Sequence, residues 1–226
     1  MEKQEHFRKK EVVVNLQGGQ ELKFLVAEDI EELITDISDE DKVPCWADIW
    51  PAAYGLAYYL WDNPEITTGK QVIELGAGIG LPGIVCAQKG VRVTLSDFNP
   101  TAMDLAGENA RLNGVEVELL QEDWRSFQCR KLFDYILASD IIFDPKLNPF
   151  LGQIFYRNLK PGGRILIAHP DRKVTREFVE DCNRYNLWER EREIWTVELS
   201  DTLLPRYDIV INSLEAGLDA DPPFSV

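Results

Sequence analysis

Short apolar runs rich in β-branched residues recur through the middle of the chain. They lie at residues 71–75, 92–96, 116–120, 135–139 and 164–168. Helical patterns at residues 82–89, 100–112 and 147–159 separate most of these runs, although residues 123–134 show no clear pattern. Strands that alternate with helices imply right-handed crossovers and a mostly parallel sheet. The pattern therefore predicts a doubly wound α/β fold.

Two β-prone runs, residues 12–16 and 21–26, precede this region. Gly18 and Gly19 lie between them and permit the positive φ of a tight turn. We therefore expect an amino-terminal β-hairpin.

A helix is expected after the hairpin. Residues 28–41 hold eight acidic residues and neither Lys nor Arg. The apolar positions recur at helical spacing and are Ile30, Leu33, Ile34 and Ile37. This pattern predicts an amphipathic helix with a solvated acidic face, although a partner-binding role for that face is a second interpretation. A further helix is expected from Pro51 to Asn63, just before Pro64.

The carboxyl-terminal region has a different pattern. A helix at residues 175–185 is followed by two β-like runs, 192–199 and 206–213, with no helix between them. Such runs form an antiparallel pair. We expect a hairpin and helix extension at residues 1–45, one domain at 46–216 and a flexible tail at 217–226.

The charge balance narrows the classes of partner. The chain has 39 acidic and 24 basic residues, which give a formal net charge of -15 and a pI near 4.6. Such a field repels a phosphate backbone, so nucleic acid is not expected as a substrate. A cationic partner is favoured, although the charge is also explained by solubility alone.

The cysteines and histidines do not indicate a metal site or a disulfide framework. The four cysteines are scattered without a CxxC pair, and His6 and His169 are the two histidines. The first residues resemble no signal peptide, and no apolar run approaches the ~20 residues of a membrane span. We expect a cytoplasmic monomer with reduced thiols and no membrane partner.

A glycine-rich segment carries the most specific signal. Residues 72–80 read Val-Ile-Glu-Leu-Gly-Ala-Gly-Ile-Gly, a strand that opens into a turn before a helix. The glycines Gly76, Gly78 and Gly80 allow a ligand to approach the backbone closely. Asp97 follows the next strand, where a carboxylate suits the hydroxyl groups of a ribose. The segment therefore predicts a nucleoside site.

Two nucleoside cofactors fit this spacing. Gly78, Gly80 and Gly83 satisfy the GxGxxG pattern of a dinucleotide-binding dehydrogenase. Glu74 favours S-adenosylmethionine instead, because a carboxylate would repel a pyrophosphate and attract the cationic methionine group. A dehydrogenase would also need a substrate domain, for which 226 residues leave little length.

Beyond these patterns, residues 46–172 resemble methyltransferase family 16, a group of class I S-adenosylmethionine-dependent protein lysine methyltransferases. The resemblance rests on the glycine segment and on four further motifs. They are Trp46-Ala47-Asp48-Ile49-Trp50-Pro51, Ser96-Asp97-Phe98-Asn99-Pro100, Ser139-Asp140-Ile141-Ile142-Phe143-Asp144 and His169-Pro170-Asp171-Arg172. It implies a Rossmann-like sheet of seven strands, mostly parallel with an antiparallel carboxyl-terminal strand.

The resemblance also implies a set of site residues. Asp140 and Phe143 are the implied catalytic pair, at the family's Asp/Glu-x-x-Tyr motif. The implied S-adenosylmethionine contacts are Trp50, Glu74, Gly76, Gly78, Gly80, Asp97, Phe98, Asp123, Trp124 and Ser139. Trp50 would face the sulfonium and Asp123 with Trp124 the adenine, whereas His169 would lie near the substrate.

Alternatives remain for several of these positions. Trp50 is also explained as a core tryptophan, and Asp140 as the cap of a helix that begins near Pro145. Phe143 replaces the family's usual tyrosine, which keeps a ring face for a cation but removes the hydroxyl. The predicted function is a protein-lysine methyltransferase. A methyltransferase of small amines and a cofactor-binding protein without turnover are the alternatives.

Overall fold

The architecture, given by a computed structural model, is built on one seven-stranded sheet with a two-stranded sheet beside it. The structure describes residues 7–34, 43–199 and 205–217. The strands are β1 (Lys9–Asn15), β2 (Glu21–Ala27), β3 (Gln71–Leu75), β4 (Arg92–Asp97), β5 (Glu118–Gln121), β6 (Phe133–Ser139), β7 (Leu159–His169), β8 (Leu187–Glu198) and β9 (Arg206–Ala216). The order in the large sheet is β5-β4-β3-β6-β7-β9-β8.

Helices cover both faces of this sheet. They are α1 (Pro51–Asp62), α2 (Leu81–Gln88), α3 (Pro100–Leu112), α4 (Asn148–Asn158) and α5 (Lys173–Asp181). Successive side chains of a strand point to opposite faces. In β3, Val72 therefore joins the apolar cluster that contains α1, α2 and α3, whereas Ile73 and Leu75 join the cluster that contains α4 and α5.

The strand order confirms the predicted fold. Strands β3 to β7 are parallel, and β9 is antiparallel to both of its neighbours, β7 and β8. From β3 the chain builds outward to β4 and β5, then crosses back to β6 on the other side. In open α/β sheets ligands bind at the carboxyl edge where this reversal occurs. The sequence pattern predicted the residues of β3 and α3 without error.

The predicted amino-terminal hairpin is confirmed. The prediction of a helix after it is wrong over the residues that the structure describes. A single 3-10 turn covers Glu31–Leu33, and Ile34 is extended with φ -73° and ψ 111°. Ile37 lies outside the described residues. A short isolated helix is marginal in water, and crowded carboxylates on one turn destabilise it further.

Two asparagines of α3 attach the hairpin to the main domain. Asn109 accepts a hydrogen bond from the Leu25 N–H at 2.7 Å and donates to the Leu25 carbonyl at 3.1 Å. Asn113, one turn later, pairs with the N–H and carbonyl of Lys23 at 3.0 and 2.7 Å. The buried β2 side chains also belong to the α1–α3 cluster. The division of the chain at residues 45 and 216 stays a prediction.

Within the described ranges, the helices are all too short or too polar to span a membrane.

Candidate functional site: a cavity at the carboxyl edge of the sheet

A cavity of about 430 Å³ lies at the carboxyl ends of β3, β4 and β6, where the strand order reverses. It brings predicted cofactor residues and predicted acceptor residues into one space. The predicted residues that line it are Trp50, Glu74, Gly76, Gly78, Asp97, Phe98, Asp123, Trp124, Ser139, Asp140 and Phe143.

The glycine turn after β3 forms the floor of the cavity. Gly76 and Gly78 have φ values of 61° and 52°, a left-handed conformation that other residues rarely adopt. A Cβ atom at Gly78 would lie 3.2 Å from the Trp46 carbonyl oxygen, because residues 43–50 pass directly over the turn. Gly80 does not line the cavity. It precedes α2 at φ 86°, and a Cβ there would meet Leu95.

Asp97 is fixed at the end of β4 by two backbone groups. Its Oδ2 accepts the Gly78 N–H and its Oδ1 accepts the Asn99 N–H, both at 3.0 Å. The side chain is nearly buried, and this burial raises the pKa of Asp97, although the backbone hydrogen bonds oppose the shift. A carboxylate has lone pairs for further bonds on both oxygens, so Asp97 can still accept from hydroxyl groups in the cavity.

Glu74 lies on β3 and faces α2. It is 1% exposed, and its Oε2 accepts the Gly83 N–H at 2.8 Å. Burial raises the pKa of Glu74 to about 8, with a further contribution from the charge of Asp97, while the Gly83 hydrogen bond opposes the shift. Because a neighbouring cation favours the ionised form, Glu74 is suited to respond to a positively charged ligand.

Asp123 and Trp124 lie where the adenine contacts were expected. Arg125 donates to both oxygens of Asp123, at 2.9 Å from Nε to each and 2.6 Å from Nη2 to Oδ2. The Trp124 ring packs on the turn, since a Cβ at Gly76 would lie 3.1 Å from it. Arg125 therefore orients the Asp123 carboxylate beside an indole ring.

Asp140 follows β6 and is paired with Arg172. The Arg172 Nε and Nη2 donate to the two carboxylate oxygens at 2.6 and 2.7 Å. Asp140 does not cap a helix, because α4 begins at Asn148 and its N-cap residue, Leu147, makes no side-chain cap bond. The capping interpretation is therefore wrong.

Three aromatic rings stand around the mouth of the cavity. Trp50, Phe98 and Phe143 are 46%, 43% and 49% exposed, respectively. The Trp50 indole N–H donates to the Cys45 carbonyl at 2.6 Å, which holds the ring at the rim. The interpretation of Trp50 as a core tryptophan is therefore wrong. Large exposed rings rimmed by polar groups are typical of binding surfaces.

His169 is buried at 1% exposure and does not line the cavity, contrary to its expected place near the substrate. Its Nε2 lies 2.9 Å from the Asn212 Oδ1, and its Nδ1 accepts the Arg172 N–H at 3.1 Å. Burial lowers the pKa of His169. The role of Arg172 was missed in the sequence because a partner 32 residues away leaves no local pattern.

The polar groups of the cavity fit a nucleoside with a cationic group better than a metal ion. In residues 7–34, 43–199 and 205–217 no three His, Cys, Asp or Glu side chains are placed to hold a metal. The buried hydroxyl of Ser139, which lines the cavity, has no hydrogen-bond partner among these residues. Such a group suits a ligand that completes its bonding.

Comparison with known proteins identifies the family of the chain. The model of the lysine methyltransferase family, methyltransferase family 16, matches residues 29–184. The calmodulin-lysine N-methyltransferase of Arabidopsis thaliana is 31% identical over 181 residues, which cover 70% of this chain and 60% of that protein. The histone-arginine methyltransferase METTL23 of Rattus norvegicus is 37% identical over 105 residues, which cover 43% of this chain and 47% of that protein. The chain thus spans about half the length of the curated relatives that it matches first.

Solved structures share the fold. The N-methyltransferase NodS of Bradyrhizobium japonicum, in complex with S-adenosyl-L-homocysteine, aligns with a TM-score of 0.59 at 18% identity and covers 83% of this chain and 96% of that one. The 16S rRNA methyltransferase RsmC of T. thermophilus aligns with a TM-score of 0.63 at 15% identity, covering 90% and 50%. Together with the family match over residues 29–184, these findings confirm the resemblance: the chain belongs to the lysine methyltransferase family, with the class I methyltransferase fold.

Proposed function

We propose that this chain is an S-adenosylmethionine-dependent methyltransferase that modifies lysine side chains of a protein. The observation that carries the proposal is a single cavity with two chemically different ends. One end presents Asp97 and the glycine turn to a nucleoside, and the other presents Asp140 beneath a rim of exposed rings. Membership in the lysine methyltransferase family supports both assignments.

The residues at the nucleoside end hold the cofactor. Asp97 accepts hydrogen bonds from the ribose hydroxyls, because its backbone bonds leave lone pairs toward the cavity. Asp123 and Trp124 take the adenine, and the cationic methionine end favours the ionised form of the buried Glu74 carboxyl group. Trp50 places an aromatic face near the same charge. When bound, S-adenosylmethionine supplies an activated methyl group on a sulfonium.

The residues at the other end bind and orient the acceptor. Asp140 can accept hydrogen bonds from an amine, and the exposed face of Phe143 can pack on the methylene groups of a lysine side chain or on a cation. Methyl transfer needs a neutral amine about 3 to 3.5 Å from its target and in line with the bond that breaks. Orientation by Asp140 and by the rim is therefore the main contribution of the protein.

A protein substrate is favoured over a small metabolite by the exposed aromatic rim. Trp50 and Phe143 leave about half of their surfaces in water when no partner covers them. A flat partner surface that presents a lysine would bury these rings, and the net charge of -15 would attract a basic surface. The four cysteines are scattered and form no CxxC pair, which suits a reducing compartment, so we place the enzyme in the cytoplasm. We take it to act as a monomer.

Arginine is a second candidate acceptor. It is favoured by the 37% identity to the histone-arginine methyltransferase METTL23. An arginine side chain would also stack on the exposed rings.

Methyl transfer from labelled S-adenosylmethionine tests the proposal. Calmodulin and core histones are in the panel because the two relatives above are named for them. The electron transfer flavoprotein β subunit is included because its lysine methyltransferase from Mus musculus is 33% identical to this chain over 135 residues. A cell lysate is the unbiased arm. We expect label on protein, recovered as methyllysine after hydrolysis. Methylarginine would select the second candidate, and label in small metabolites alone would overturn the protein substrate. Binding without any product would support a protein that binds cofactor without turnover.

The Asp140→Asn variant tests the acceptor end. It keeps the shape of the side chain but loses its charge, and we expect methyl transfer to fall by about 100-fold while cofactor binding is retained. Asp181→Asn, on the exposed end of α5, is the matched control. Normal methyl transfer by Asp140→Asn would remove Asp140 from the mechanism.

A further inference from the structure

Arg172 contributes a second charge to the acceptor end of the cavity. It lines the cavity beside Asp140 and donates from Nε and Nη2 to the two oxygens of that carboxylate. The Asp140 side chain is 9% exposed and the Arg172 side chain 43% exposed. Asp140, which we propose binds the acceptor amine, is therefore half of an ion pair and not an isolated carboxylate.

The backbone on both sides of the pair is shaped to hold it. Asp140 has φ 52°, and its N–H donates to the Ala168 carbonyl at 2.8 Å. Asp171, just before Arg172, has φ 50°. Non-glycine residues in this conformation are uncommon and concentrate at functional sites. The left-handed residues thus lie at the two strand ends from which the paired side chains extend.

A chain of hydrogen bonds that passes through the buried side chains of His169 and Asn212 supports the main chain of Arg172. The Arg172 N–H donates to the His169 Nδ1, so the His169 proton is on Nε2 and points to the Asn212 Oδ1. The Asn212 amide in turn donates to Glu189 on β8 at 2.6 Å. Surface ion pairs are usually mobile, whereas this arginine is fixed through its main chain as well as its side chain.

Resting on the proposed function, we propose that Arg172 is a positioning residue for the methyl acceptor. It fixes the direction of the Asp140 lone pairs, and its positive charge offsets the carboxylate so that the bound amine can stay neutral. An isolated carboxylate would hold the amine as an ammonium ion, which has no lone pair for the attack. The ion pair keeps Asp140 as a hydrogen-bond acceptor and weakens its tendency to hold the amine as an ammonium ion.

Two nucleosides and a pH series test the role of Arg172. S-adenosylhomocysteine is the neutral probe, and sinefungin, which carries an amine in place of the methylated sulfur, is the cationic probe. The variants are Arg172→Gln and Arg172→Lys. Arg176→Gln is the control, because Arg176 pairs with Asp171 at 3.0 Å and belongs to the same loop and helix.

We expect Arg172→Gln to bind S-adenosylhomocysteine as the wild type does and to bind sinefungin about fivefold more tightly, since the unpaired carboxylate attracts the ammonium. Its methyl transfer should fall at neutral pH and recover at higher pH. Arg172→Lys should restore the pH profile, because it returns the charge, but keep a lower maximal rate without the two-pronged geometry. The control should match the wild type throughout.

The other charged groups around the pair are unchanged in these variants. They are His169, Asp171, Arg192, Asp48 and Asp144. If Arg172 has only a structural role, Arg172→Gln should weaken the binding of both nucleosides equally and leave the pH profile of the remaining activity unchanged. That result would overturn the inference. Wild-type protein that binds neither nucleoside would overturn the proposed function and this inference with it. If the wild type binds both nucleosides and Arg172→Gln leaves the ratio of the two affinities unchanged, the proposed role of Arg172 is overturned while the proposed function stands.

Discussion

The buried carboxyl group of Glu74 makes the stability of the protein depend on pH near neutrality. Burial raises its pKa from 4.5 to about 8. Below pH 4.5 the side chain is neutral in both the folded and the unfolded protein, so no stability is lost. Between these values folding takes up a proton. The stability contributed by the neutral carboxyl is therefore fully present below pH 4.5 and is lost as the pH rises through about 8.

The size of the effect follows from the pKa shift. Within this interval the folded protein binds nearly one proton more than the unfolded protein, so the free energy of unfolding falls by about 1.4 kcal/mol per pH unit. From pH 6 to pH 7.5 this amounts to about 2 kcal/mol. The variant Glu74→Gln keeps an oxygen for the Gly83 N–H but cannot ionise. It should therefore gain stability relative to the wild type by that amount over the same range.

Urea unfolding of both proteins at pH 6, 6.5, 7 and 7.5 measures the difference. Glu180→Gln, an exposed position on α5, is the matched control and should follow the wild type. Burial also raises the pKa of Asp97, but that side chain is present in all three proteins and does not distinguish them. A difference between wild type and Glu74→Gln that stays constant within about 0.5 kcal/mol would refute the reasoning, since it would mean that Glu74 does not titrate in this range.

Three further substitutions have expected outcomes. Asp97→Ala should weaken S-adenosylhomocysteine binding by at least about 100-fold in calorimetry, because two charge-assisted hydrogen bonds are lost; a loss below tenfold would contradict the ribose contact. Asn109→Ala should lower the free energy of unfolding by about 1 to 3 kcal/mol, since it leaves buried polar groups of Leu25 and Ile79 unpaired. An unchanged urea midpoint would show that the apolar contacts suffice. Trp50→Ala should weaken S-adenosylmethionine about threefold more than S-adenosylhomocysteine, because only the first carries the sulfonium. Equal losses would place Trp50 away from that charge.

The elements predicted most accurately are those whose signals are local. The strand Gln71–Leu75 contains the apolar residues Val72, Ile73 and Leu75, and the helix Pro100–Leu112 begins with a proline after a capping residue. Asn99 accepts the N–H groups of Thr101 and Ala102, as such a cap should. Each signal lies within a few residues of the boundary that it predicts.

The errors and omissions concern contacts between distant parts of the chain. The periodicity of residues 28–41 predicted a helix, but in residues 28–34, the part that the structure describes, a turn forms, because periodicity alone does not supply a surface to pack against. The pairing of Arg172 with Asp140 depends on β6 and β7 being neighbours. Knowledge of that neighbourhood alone would suggest the pair, since both residues follow adjacent parallel strands. The residue types at the proposed acceptor end were therefore predicted, but the ion pair between Asp140 and Arg172 was not.

The asparagines Asn109 and Asn113 of α3 also protect an edge strand of the two-stranded sheet. A strand with one neighbour exposes a row of N–H and carbonyl groups, to which a second polypeptide can add and begin aggregation. On β2 the outward groups of Lys23 and Leu25 are occupied by the amides of Asn113 and Asn109, four residues apart on one helical face. Two side chains thus substitute for a third strand. The small sheet ends against its own helix, which leaves that side closed to strand exchange between molecules.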